Sequence, residues 1–126
     1  MIERYLRGTY RDGGRGPDEW DCWGLTRDAR HELFGLPLLP SYGAIGADDK
    51  RRLTEACRRE AQAFTPGPPE PAAIATVWKR GLCIHVALVV ACDGRLGVLE
   101  AGKRIGIRWL ALADFERRYL NITYYA

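Results

Sequence analysis

The stretch CIHVALVVACDGRLGVLEA, residues 83 to 101, leaves the chain little freedom. Two runs rich in β-branched residues flank Asp93-Gly94, a pair suited to a two-residue hairpin loop, where positive φ is required. With such a loop, opposed residues have numbers summing to 187, so His85 faces Gly102 and Ala87 faces Glu100. Side chains alternate along a strand, which puts His85, Ala87 and Glu100 on one face and Leu99 on the other. Glu100 is then the diagonal neighbour of His85, with backbones roughly 7–8 Å apart, within reach of a long carboxylate. The run around His85 is apolar on both faces, as in a strand covered on both sides.

The remaining elements follow from periodicity and breakers. Cys22, Leu25, Ala29 and Leu33 recur on one face of a helix that begins at Asp21, an N-cap or first-turn acid, and stops at Gly35 before Pro37. A second helix is expected to start near Asp48-Asp49, with Leu53, Cys57, Ala61 and Phe64 on one face. Cys57 reads there as a small buried apolar residue. Four prolines between residues 66 and 71 end that helix. "AAIATVW", "RIGIRWL" and "NITYY" supply further strands, and "LADFERRY" a short amphipathic helix. Helices first and antiparallel strands afterwards give an α+β fold. Residues 1–126 are read as a single domain, because neither half alone buries both of its faces.

Charge excludes some functions. The chain carries 19 Lys and Arg against 16 Asp and Glu, a net +3, without a basic stripe interleaved with aromatic residues. Lys50-Arg51-Arg52 and Arg58-Arg59 read as a solvated helix face, so no nucleic-acid partner is expected. The longest apolar run is too short to span a bilayer. The segment MIERYLRGTYRDGG has no apolar core of the secretory type, so the protein is expected to be made in the cytosol with Cys22, Cys57, Cys83 and Cys92 as thiols. Cys83-Ile84-His85 is a two-ligand fragment without a second paired motif; no metal or other cofactor is expected.

One cysteine stands apart. A thiol is a good nucleophile near neutral pH when a helix N-terminus and a neighbouring imidazole favour its thiolate. Cys22 has the first by position. His31 lies two and a half turns up the same helix and reads as a surface or capping residue near its negative end. That leaves His85 as the candidate base, with Glu100 as the group that orients it, in the logic of a nucleophile, base and orienter; the alternatives are a core histidine and a carboxylate at a solvated edge that touches nothing.

The segment GTYRDGGRGPDEWDCWGL, residues 8 to 25, resembles the signature of NlpC-type cell-wall cysteine peptidases, papain-like enzymes that cut peptidoglycan stem peptides after a γ-linked D-glutamate. "HVALVVACDGRL" is similar to that family's histidine strand and hairpin, and "ITYY" to its closing strand. Tryptophan after the cysteine, followed by a helix ending in "ELFGLPLLP", resembles members encoded by phages and prophages beside tail genes. The resemblance implies a papain-like fold with N-terminal helices on a C-terminal antiparallel sheet. It implies Cys22 as nucleophile, His85 as general base and Glu100 at the third polar position, where the family usually has histidine, asparagine or glutamine. It further implies that Tyr10 helps to hold an oxyanion, that Asp21 meets the substrate's free amino end, and that Trp23, standing for a usual serine, alters specificity. Gly13 and Gly14 are expected to bring Tyr10 near Cys22.

On this reading the partners are a peptidoglycan stem peptide and phage tail proteins, and the protein acts at the cell wall as part of a tail. Two other readings stay open: a catalytically silent tail-assembly protein, and an amidase or acyltransferase on the same scaffold.

Overall fold

A computed structural model describes residues 1–43, 45–46 and 48–126. A single turn of helix, α1 (Glu3–Leu6), is followed by two short strands, β1 (Thr9–Tyr10) and β2 (Glu19–Trp20). Helices α2 (Cys22–Phe34) and α3 (Lys50–Ala61) follow. Then come β3 (Pro66–Gly67), β4 (Ile74–Lys79), β5 (Leu82–Cys92), β6 (Arg95–Gly102), β7 (Gly106–Ala111), α4 (Leu112–Arg118) and β8 (Ile122–Tyr125). Strands β3 to β8 form one six-stranded antiparallel sheet in the order β3-β8-β4-β5-β6-β7. The molecule is thus α+β, with β5 in the interior of the sheet.

The alternation along β5 sorts the two faces. Leu88 and Val90, with Leu99 and Ala101 of β6, pack against Leu25 and Ala29 of α2 and against Tyr5 and Trp20. Ala87 and Val89, with Val98, pack against Phe115 of α4 and against Val77 and Tyr124. Both faces are covered, which is why this strand reads as an unbroken apolar run.

The expected hairpin is present. Asp93 and Gly94 adopt φ of 50° and 75°, and Cys92 pairs with Arg95. The register holds through Leu88↔Leu99, where it ends. Beyond that point β5 stays with β4 as far as Lys79↔Leu82, while β6 stays with β7 as far as Gly102↔Gly106. The sheet therefore opens between β5 and β6, and the expected backbone pairing of His85 with Gly102 is replaced by a cleft.

A second irregularity lies on the other side of β5. Val77 pairs with His85 and Trp78 with Cys83, leaving Ile84 as the extra residue of a bulge. Bulges bend a strand and re-aim its side chains. Here the bulge allows Cys83 and Val86 to join Cys22 and Trp23 in one apolar cluster beneath the helices, although simple alternation would separate them.

Candidate active site

The surroundings of Cys22, the expected nucleophile, are built locally. Asp21 caps α2: its Oδ1 accepts from the Gly24 N–H at 2.8 Å and from Arg15 Nη1 at 2.7 Å, while Oδ2 accepts from the Gly13 N–H at 3.0 Å. Cys22 is thus the first residue of a helix whose start is fixed by a buried carboxylate. Its first-turn N–H groups lack intrahelical acceptors, the usual condition at a helix start. Gly24 has no room for a side chain, since a Cβ there would run into the Gly14 carbonyl oxygen. Arg15 extends the brace by donating to the carbonyl oxygens of Ser41 at 2.7 Å and Tyr42 at 3.0 Å. The Tyr42 hydroxyl in turn donates to Glu60 of α3.

Tyr10 reaches the same place through a parallel ladder. Thr9 pairs with Glu19 and Tyr10 with Trp20, so the phenol stands beside the start of α2. Burial, followed by the negative charge of Asp12, pushes its pKa upward, so the hydroxyl keeps its proton and remains a donor.

The histidine expected as base lies at the split in the sheet. His85 Nε2 lies 2.8 Å from Glu100 Oε1. Burial by itself would lower the imidazole's pKa, but hydrogen bonding to Cys22 and Glu100, and their negative charge, outweigh it and push it up to about 9. With Nε2 engaged by Glu100, Nδ1 is the nitrogen left for the thiol. The ring also stacks on Tyr119, with centroids 5.5 Å apart.

Glu100 is fully buried and densely partnered. Arg108 Nε donates to its Oε2 at 2.9 Å, and Arg108 Nη2 lies 2.8 Å from the same oxygen. The Tyr119 hydroxyl donates to Oε1 at 3.3 Å. Burial raises the carboxyl's pKa, yet hydrogen bonds and charges from His85 and Arg108 win, and the net shift is downward. A buried carboxylate paired on both oxygens is one that can stay charged.

Two hollows meet at Cys22. An open cleft of about 240 Å³ is lined by Cys22, His85, Tyr10, Tyr119, Lys50 and Lys103. Behind the nucleophile, a narrow apolar cavity of about 40 Å³ lies among Trp23, Tyr42, Leu53, Cys57, Phe64 and Val86 and holds neither His85 nor Tyr10. Chemistry that needs a base therefore belongs to the open cleft.

Of the residues singled out in the sequence, Cys22, His85, Glu100 and Tyr10 come together. Asp21 borders the nucleophile but is spent on the helix start and on Arg15. Trp23 points away from the open cleft: it is buried, donates from Nε1 to the Pro40 carbonyl at 3.0 Å and meets Tyr42 edge-on. Three participants were not anticipated, namely Arg15, Arg108 and Tyr119. Arg108 could have been found by extending the pairing through Gly102↔Gly106, which sets it opposite Glu100. His31 lies in the last turn of α2, with Nδ1 2.8 Å from the Leu36 carbonyl oxygen.

Among the described residues, no group of three or more His, Cys, Asp or Glu is placed to hold a metal. None of their helices is long and apolar enough to cross a membrane. No family model, curated protein or solved structure matches the chain.

Proposed function

We propose that this protein is a cysteine peptidase that hydrolyses peptidoglycan stem peptides, of the γ-D-glutamyl-diamino-acid endopeptidase type, on a papain-like scaffold, and that it works with a phage or prophage tail at the cell wall. The observation that carries the reading is the convergence on one open cleft of a cysteine at a helix start, a histidine braced by a buried carboxylate, and a protonated tyrosine. The resemblance of residues 8 to 25 to NlpC-type peptidases supplies the substrate class.

In the mechanism, a Cys22 thiolate beside the His85 imidazolium attacks the peptide carbonyl carbon. The carbonyl oxygen, now an oxyanion, is met by the Tyr10 hydroxyl and the Cys22 backbone N–H. His85, charged at neutral pH by its raised pKa, gives its proton to the departing amine. The neutral imidazole then takes a proton from water, whose oxygen attacks the thioester and restores the thiol. Glu100 holds the ring in the tautomer and orientation that both steps need. Asp21, Arg15 and Gly24 position the helix that carries the sulfur.

Replacing Cys22 with alanine is expected to abolish cleavage of purified muropeptides while the circular dichroism spectrum stays unchanged. Undiminished turnover in that variant would overturn the assignment. An amidase or acyl-transfer activity is favoured by one observation, the apolar cavity that reaches Cys22 from behind. A panel of stem peptides, intact sacculi and lipid amides separates the two by product mass.

A further inference from the structure

Two thiols that the proposed mechanism does not use lie against each other. The sulfurs of Cys57, on α3, and Cys83, on β5, are 3.3 Å apart, and all four cysteines are free. A disulfide bond is about 2.05 Å long, so the sulfurs need to close by roughly 1.2 Å.

The backbones on either side are already held. Thr54 Oγ1 accepts from the Cys83 N–H at 2.8 Å, Lys50 Nζ donates to the Ile84 carbonyl at 3.0 Å, and Arg58 Nη2 donates to the Gly81 carbonyl at 3.1 Å. Lys50, Thr54, Cys57 and Arg58 form one face of α3 laid along the start of β5. The Ile84 bulge is what places Cys83 on the face beneath α3.

We infer that Cys57 and Cys83 constitute a dithiol–disulfide site, closed by a disulfide-bearing oxidant and reopened by a dithiol reductant, that staples α3 to the strand carrying His85. The inference does not rest on the peptidase reading. Accessibility gives the two sulfurs different tasks, because Cys57 is half-buried and Cys83 has no exposure. The Cys57 thiolate attacks the oxidant RSSR, forming Cys57–S–SR and releasing one RS⁻. Cys83 sulfur then attacks the Cys57 sulfur, the second RS⁻ leaves, and the Cys83 proton passes to it or to water. One RSSR is reduced to two RSH while two protein thiols become one disulfide.

Competition from the other thiols is limited. Cys92 lies at the far end of β5, nine residues from Cys83, roughly 30 Å along an extended strand. Cys22 shares an apolar cluster with Cys83 and Cys57 and is the competitor to be tested.

The purified full chain is incubated with oxidised glutathione near pH 8, or with a phosphine reductant, then alkylated under denaturing conditions, which expose the buried thiols, and analysed by intact and peptide mass spectrometry. Oxidation is expected to remove about 2 Da, leave two alkylatable thiols of the four, and yield a peptide pair joining Cys57 to Cys83. The oxidised protein should melt roughly 5–15 °C above the reduced one, reversibly on reduction. Cys92→Ser is expected to keep both effects, and Cys57→Ser and Cys83→Ser to lose both. A bond to Cys22, a glutathione adduct that remains on Cys57, four alkylatable thiols after oxidation, or an oxidised form that melts no higher would each overturn the inference. The wild-type peptide map decides the matter even if a serine variant folds poorly.

Discussion

His85 and Glu100 meet through one side-chain bond, Nε2 to Oε1 at 2.8 Å, across a gap in the sheet where the β5–β6 ladder has already ended. A ladder continued through this point would fill the space that Cys22 and Tyr10 enter. The pair is therefore held through Glu100, whose far oxygen, Oε2, is fixed by Arg108, while the Tyr119 hydroxyl shares Oε1 with His85.

Glu100→Gln keeps the size of that group and removes its charge. The His85 pKa should fall well below about 9, and kcat/KM at neutral pH should drop by about 10–100-fold. Proton NMR can follow the change directly, because the chain has only two histidines. Glu100→Ala should also destabilise the fold by about 2–4 kcal/mol, somewhat less than for a wholly buried pair, because Arg108 is partly exposed. An unchanged His85 titration in the glutamine variant would remove Glu100 from the site.

Tyr10→Phe deletes one hydroxyl and little else. If that hydroxyl meets the oxyanion, kcat falls by about 10–100-fold with KM nearly unchanged, since the interaction is made in the transition state. Steady-state kinetics on a soluble muropeptide separates this from a binding role, in which KM would rise and kcat would stay.

Stability should decline on both sides of neutrality. The folded imidazole of His85 binds its proton more tightly than the unfolded one, with a pKa of about 9 against 6.5. Its contribution is fully present below pH 6.5 and is lost as pH rises through about 9. Glu100 runs the other way. Its folded pKa lies below 4.5, so its contribution is present above that value and is lost as pH falls through the folded one. Urea midpoints measured from pH 3 to 10 check this, and His85→Asn should flatten the alkaline side.

Gly24→Ala sets two effects against each other. Alanine gains about 1 kcal/mol over glycine within a helix. The added Cβ, however, would strike the Gly14 carbonyl, a backbone group that cannot rotate away. The clash should win, lowering stability by about 2 kcal/mol and activity with it. A higher denaturant midpoint in this variant would contradict the packing described for the start of α2.

The legible parts of the fold were those with a local signal. Asp93-Gly94 determined a register that holds as far as Leu88↔Leu99, and a side-chain bond carries Glu100 the rest of the way to His85. Asp21 and Gly35 marked the ends of α2 by their side chain and backbone preferences. Arg108 had a mark only through a second strand pairing, and Arg15 and Tyr119 had none. Their roles arise from loops and strands that meet only after the sheet forms, and a charged or aromatic residue at those positions looks ordinary in a linear chain. The Ile84 bulge was invisible for the same reason, since a bulge is a relation between β4 and β5. Without it, Cys57 read as a plain apolar residue and its neighbour Cys83 stayed hidden. Trp23 showed the opposite failure: a conspicuous residue beside the nucleophile turned out to pack behind it.

The order of the elements also bears on synthesis. The nucleophile, its cap and its tyrosine are all encoded before residue 23, whereas the base arrives 63 residues after Cys22 and the carboxylate later still. A growing chain thus exposes the thiol long before His85, the histidine assigned to activate it, is made. On the proposed reading, activation waits until β5 and β6 have docked beneath α2, so a ribosome-bound polypeptide carries at Cys22 a thiol of ordinary reactivity.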